Sequence, residues 1–301
     1  MKYLAGFTIF LLLVISVNAQ EIAITIDDAP RPDSKLFTGE ERSAKLIENL
    51  KKARVEDVLL FVKTGNINDQ SRKRLEKYIE AGFHLANHSN SHFSADKVDI
   101  EIYLEDITTA HRILEEFDNF IPLYRHPFLH HGNSREKRDR IRNHLQDLGY
   151  QIGYVTIDNY EWYMDALLQR ALGEGKKVNY ETLKEIYVET LWETIIFYDN
   201  IARQTLGRSP KHVLLVHEND ITALYIGDLV EHIRSKGWRI ISPKAAYTDS
   251  IASIIPDVLF NGQGRVAAIA RSKGWKRRTL VHEAEDENYL KELFERKNVF
   301  E

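Results

Sequence analysis

Short apolar runs alternate with amphipathic stretches of helical length from residue 22 to residue 242, and this alternation limits the fold more than any other feature of the chain. The runs cover residues 22–26, 58–62, 83–87, 122–126, 152–157, 213–217 and 239–242. Between them, residues 40–53, 69–81, 99–117, 134–148, 180–205 and 221–236 show the helical period. Gly82, Gly149 and Gly237 each sit just past one of these stretches, where a left-handed cap favours glycine. Repeated β-α units imply a parallel sheet with crossover helices, an α/β fold closed as a barrel or left open as a doubly wound sheet.

With 301 residues the chain makes one large α/β domain or two small ones, and an apolar share of 43% supports a sizeable core. A formal charge of −4 and the absence of a long basic run argue against nucleic acid as a partner. There is no cysteine, which removes disulfides, a thiol nucleophile and a lipid-modified cysteine together. The first twenty residues, MKYLAGFTIFLLLVISVNAQ, have a basic start, a short apolar run and a small-x-small end. They read as a secretory signal cleaved after Ala19, which places the mature protein in the periplasm or outside the cell. The apolar run falls short of the ~20 residues a spanning helix needs. No later segment is apolar for long enough, so no stable membrane insertion is expected after cleavage.

Polar residues at the ends of the apolar runs carry the chemistry. Asp27 and Asp28 end the first, His88 comes after the third, Arg125 lies within the fourth, Asp158 comes after the fifth and His217 ends the sixth. In a β/α barrel the C-terminal strand ends converge on one face, so these residues are expected to meet. His88 and His92, four apart, share a face if a helical turn starts after the third strand. With one strand-end carboxylate they make a common zinc set that leaves positions open to water and substrate. On an extended backbone two adjacent aspartates point in different directions, leaving one for the metal and one as a free base. Arg125 either holds that base ionised or forms an ordinary surface ion pair. His217 is either a satisfied core histidine or a general acid. His126, His130 and His131 border the site and read first as polar loop groups, His84 as structural. Tyr160, Trp162 and Tyr163 suit core packing or stacking on a sugar.

ITIDDAP, HSNSH, RHPF, DNYEW and LLVH stand in the order of five motifs, and through them the chain resembles the polysaccharide deacetylases with the NodB homology domain, carbohydrate esterase family 4. The resemblance runs from about Glu21 to Pro243. It implies a distorted (β/α)7-type barrel with a helical insertion and a C-terminal helical tail. The domains expected are a signal peptide over 1–19, the deacetylase domain over 20–248 and an extension over 249–301 packed on the barrel. On this resemblance Asp28, His88 and His92 hold a divalent metal, zinc first and cobalt or another ion next, with Asp27 as catalytic base. Arg125 orients Asp27, the Phe128 N–H helps bind the oxyanion, His217 is the general acid and Leu215 packs near the acetyl methyl.

Two departures stand out. Ile26 replaces the aromatic residue usual in Thr-Phe-Asp-Asp. Glu161 precedes Trp162 where the family has aspartate, and Asp158 lies three residues earlier, so either carboxylate can partner His217; Trp162 itself is a candidate sugar contact. The implied activity is metal-dependent removal of N-acetyl groups from an amino-sugar saccharide: peptidoglycan, a chitooligosaccharide or an exopolysaccharide. The alternatives are an amidase or deformylase of the same fold on a smaller amide, a catalytically silent sugar-binding protein, and a non-haem iron protein using the same ligands. Residues 158–212 exceed a plain β-α unit and are expected to form one or two helices over the barrel. The stretch HEAEDENYLKELFERK reads as a solvated terminal helix with one apolar face.

Overall fold

The structure is a computed structural model that describes residues 19–301. The expected signal segment lies outside the described residues, except for Ala19. Seven strands form one sheet: β1 (Glu21–Ala29), β2 (Leu59–Val62), β3 (His84–Asn87), β4 (Phe120–Tyr124), β5 (Gln151–Ile152), β6 (Lys211–His217) and β7 (Arg239–Ile240). The helices between them are α1 (Gly39–Lys52), α2 (Asp69–Glu80), α3 (Ile100–Leu114), α4 (Arg135–Asp147), α5 (Glu161–Gly173), α6 (Tyr180–Leu206) and α7 (Asp220–Ser235). After β7 come α8 (Pro243–Ala246), α9 (Arg265–Ser272) and α10 (Glu287–Arg296). No helix among the described residues is long and apolar enough to cross a membrane.

All pairings in this sheet are parallel, in the order β5-β4-β3-β2-β1-β6. β6 lies along β1 from Glu21 to Asp27, so β7, which pairs Glu21 and Ile22, takes the edge whose other end carries β2. A bridge from Ile157 to Leu214 closes the far side. The result is the distorted α/β barrel expected. Parallel strands covered by helices are buried on both faces, and for that reason β2 is wholly apolar and β1 and β6 largely so, with Thr25, Asp27 and His212 as their buried polar residues.

Side-chain caps set the helix starts. Thr38 and Glu41 form a reciprocal capping box on α1, and Asn68, Asp99, Ser134, Asn179 and Asn219 cap α2, α3, α4, α6 and α7. Gly82, Gly149 and Gly237 do adopt positive φ past α2, α4 and α7.

The fifth strand is shorter than the sequence indicates. The run 152–157 pairs with β4 only at Ile152 and meets β6 again at Ile157, because the chain turns off at Gly153. A Cβ there would lie 2.5 Å from the Phe61 ring, so only glycine permits the approach. Further on, the Thr156 hydroxyl, not a backbone group, accepts from the Val213 N–H at 2.8 Å. Two helices, α5 and α6, fill the long segment before β6. The tail holds more than a terminal helix. α9 buries Val266–Ala270, and the stretch expected as one helix splits into a short turn at Glu283–Glu285 and α10, capped by Asp286.

Candidate metal centre

β1 delivers two carboxylates to one place by breaking its own pleat. Asp27 stays in register between Phe61 and His217, but the ladder shifts before Ala29 and Asp28 sits at φ 69°. Such a bulge re-aims a side chain that a regular strand would send to the opposite face. The expectation that the two aspartates diverge on an extended backbone is thereby corrected. His88 Nε2 lies 3.7 Å from Asp27 Oδ2 and 3.7 Å from Asp28 Oδ1.

The helical turn expected after β3 is also absent. Ser89 and His92 take positive φ, and the loop's backbone is held by side chains instead. Asn87 Oδ1 accepts from the Ser89 N–H at 2.7 Å, Ser89 Oγ from the His92 N–H at 3.0 Å, and Asp106 from the Asn90 and Ser91 N–H groups at 3.1 Å. This folding-back brings His92 Nε2 to 3.1 Å from Asp28 Oδ1.

Asp28, His88 and His92 offer ligand atoms within 4.8 Å of one another. Two ligands at zinc-like bond lengths in a tetrahedral site stand about 3.4 Å apart, and the separations of 3.1 and 3.7 Å from Asp28 Oδ1 bracket that value. Asp28 Oδ1 is buried without a well-aligned hydrogen-bond donor among the described residues, which is the state of a group that lacks a partner. His88 Nδ1 lies 2.8 Å from the Arg125 carbonyl, an acceptor only, so Nδ1 carries the proton and Nε2 presents its lone pair. The residues fit a divalent ion. Burial opposes the charge on Asp28, but the close approach of His92 and the charges of His217, His92 and His88 outweigh it and hold the carboxyl far below its usual range. Burial, which disfavours the imidazolium, pushes His88 down to about 4.

Arg125 lies one residue past β4, not within it, and its side chain is fully buried. The guanidinium donates to Asp27 Oδ1 at 2.5 Å, Thr25 Oγ1 at 2.8 Å, the Gly153 carbonyl at 2.8 Å and the Tyr247 hydroxyl at 3.0 Å. Its flat face rests 3.8 Å over the Phe61 ring. It is not a surface ion pair.

On β6, His217 Nδ1 lies 2.9 Å from Glu161 Oε2, while Glu161 Oε1 accepts from the His217 N–H, Asn219 and Thr222. Glu161 is the first residue of α5, where the helix dipole favours an anion. Burial works against a charge on His217, but Glu161 beside it, with Asp28 and Asp27 beyond, raises it to about 9. Asp158 makes no hydrogen bond to His217. Its carboxylate accepts from the Asn159 N–H at 2.9 Å, and burial together with Glu285 drives it well above the usual range. Of the two candidates, Glu161 is the one that touches the histidine.

Leu215 is buried on β6, two residues from His217 and so on the same side of the sheet. Phe128 has φ 57° and an exposed ring 4.6 Å from that of His92. Trp162, partly exposed, packs against Tyr160 and Tyr163. His126 bonds Tyr103, His130 bonds Ser94 and His84 bonds Asp57, all outside the ligand group. Nothing in the sequence marked Tyr247, which lies after β7 and holds Arg125 across the barrel. Nor were Asn219 and Thr222 marked, although they stand two and five residues after His217, at the start of α7.

Residues 15–153 match the polysaccharide deacetylase family model. No curated protein sequence matches. Among solved structures, the chain is similar to a family 4 carbohydrate esterase from Streptomyces lividans in complex with acetate, at 17% identity and a TM-score of 0.50 over 76% of this chain and 96% of that one. It is similar to a peptidoglycan deacetylase from Bacillus subtilis at 16% identity and a TM-score of 0.51, over 76% and 90%. A family 4 pseudoenzyme from Bacillus anthracis is similar at 13% identity and a TM-score of 0.52, over 76% and 66%. At these identities the likeness is one of fold, and the fold is shared by active and inactive proteins alike.

Proposed function

We infer that this chain, whose residues 15–153 match the polysaccharide deacetylase family model, is an exported metal-dependent hydrolase that removes N-acetyl groups from an amino-sugar saccharide. One observation carries the reading. The buried Asp28 Oδ1, which no well-aligned donor meets among the described residues, stands with two histidines between a carboxylate clamped by arginine and a histidine clamped by glutamate. A ligand set, a base and an acid are thus present around one space, and a silent member of the fold needs none of them.

Asp28, His88 and His92 would hold the ion, zinc by preference with cobalt as the runner-up. When bound, the ion supplies Lewis acidity toward an acyl oxygen and lowers the pKa of water toward neutrality. Asp27, fixed by Arg125, takes a proton from the water that attacks the acetyl carbonyl. The Phe128 N–H, which makes no backbone hydrogen bond among the described residues, donates to the carbonyl oxygen as negative charge grows there; one such donor is commonly worth ~3–4 kcal/mol. His217 is charged at neutral pH and gives its proton to the departing nitrogen, so the C–N bond breaks to a free amine. Leu215 would pack near the acetyl methyl, and Trp162 would bear on a sugar ring.

The test is acetate release by the zinc-loaded mature protein from N-acetylglucosamine oligomers and from peptidoglycan. Release by the native protein and not by Asp27→Asn supports the mechanism. No release from either by a protein that binds zinc stoichiometrically turns the reading toward a smaller amide, and absence of zinc binding removes the ligand assignment.

A further inference from the structure

A cavity of about 560 Å³ lies beneath the C-terminal extension, bounded by α4, the segment after β5 and residues 252–268. Its lining includes none of Asp28, His88, His92 or His217. The volume falls within the range of small-molecule sites, and most of the wall is apolar, with Leu145, Val155 and Val258 among the contributors. The polar groups in that wall are unbalanced. Among the described residues three arginines line the cavity and no aspartate or glutamate does. Arg125 is neutralised by Asp27, but Arg265 spends its hydrogen bonds on the carbonyls of Ile251, Ala252 and Ile254 and stacks 4.7 Å over the Tyr154 ring. Arg142 reaches only Asp139, at 3.5 Å. Two guanidinium groups in a largely apolar wall that contributes no carboxylate of its own make a site suited to an acceptor anion.

We propose that this cavity is a second ligand site, separate from the metal centre, that takes a small molecule with one carboxylate on an apolar body. The body covers the apolar wall and releases its water. The carboxylate lies toward Arg265 and Arg142. A cation is rejected by the same charges, and a neutral molecule leaves them unanswered. A straight-chain fatty acid and an aromatic acid share this chemistry.

Titration calorimetry of the metal-loaded protein with decanoate, 2-naphthoate and the neutral decanol separates the possibilities. The expected result is saturable one-to-one binding of at least one acid, with decanol about tenfold weaker or worse. The tighter acid identifies the body as chain or ring. Arg142→Gln should weaken the acid about tenfold. A thermal melt of the variant checks the fold. Absence of saturable binding by either acid overturns the proposal. So does decanol binding as tightly as decanoate, and so does affinity that survives Arg142→Gln but vanishes in His88→Ala, since that places the acid at the metal.

Discussion

Replacing Glu161 by glutamine tests the acid half of the proposed mechanism with little change of shape. The amide oxygen can keep the bonds from the His217 N–H, Asn219 and Thr222, and the amide nitrogen then faces His217 Nδ1. That nitrogen donates where the carboxylate accepted, so the imidazole is pushed to its neutral form with the proton on Nε2. In the native protein the charged form dominates below about 9 and is lost as pH rises through that value. The gap between about 9 and the ordinary 6.5 corresponds to about 3 kcal/mol of preference for the imidazolium. Glutamate is the largest favourable contributor, and burial opposes the charge once it is gone. The alkaline limb of kcat/KM for acetate release should therefore move from near pH 9 to about 6.5 or lower. At pH 7.5 only about a tenth of the variant would then carry the acid proton, a loss of about tenfold that is recovered toward pH 6. A limb that stays near its native position while activity falls uniformly would refute the argument, because it would make Glu161 a packing residue and leave His217 without its tuning partner.

The same geometry sets the outcome of other perturbations. Asp27→Asn should keep stoichiometric zinc, measured by metal analysis, while acetate release falls by about a thousandfold or more, since base and ligand are separate carboxylates. His88→Ala should lose metal and activity together; retained metal would count against the ligand set. Arg125→Met leaves the buried Asp27 carboxylate unpaired and should destabilise by about 3–5 kcal/mol in denaturant melts, a loss that adding Asp27→Asn should largely restore. Gly153→Ala drives a methyl into the Phe61 ring and should cost about 1–3 kcal/mol, with a fall in turnover as the ring beneath Arg125 shifts.

The parts of this molecule that were legible in its sequence share a cause. A polar residue at the end of an apolar run stands out, and Asp27, Asp28, His88, Asp158 and His217 were found that way before any family was considered. The helices with one wet face were bounded to within a few residues for the same reason. α5 was not, because it buries Tyr163, Met164, Asp165, Leu167, Leu168 and Ala171 around most of its circumference and so shows no clear helical period. The bulge at Asp28 and the positive φ of His92 were hidden, since neither residue type announces a left-handed backbone. The choice between Asp158 and Glu161 depended on where α5 begins, four residues after the end of a strand that the sequence made too long. The cavity under the tail arises from residues more than a hundred positions apart, and no local pattern encodes it.

The Tyr247 hydroxyl, which accepts from Arg125 and donates to the Tyr154 carbonyl at 3.0 Å, extends the working unit beyond its recognisable motifs. A fragment cut just after β7 would retain the ligands, the base, the acid and all five signatures. It would nonetheless lack one of the four partners that anchor the arginine behind the base. Motif completeness and mechanical completeness are different properties in this chain, and the second extends to residue 247.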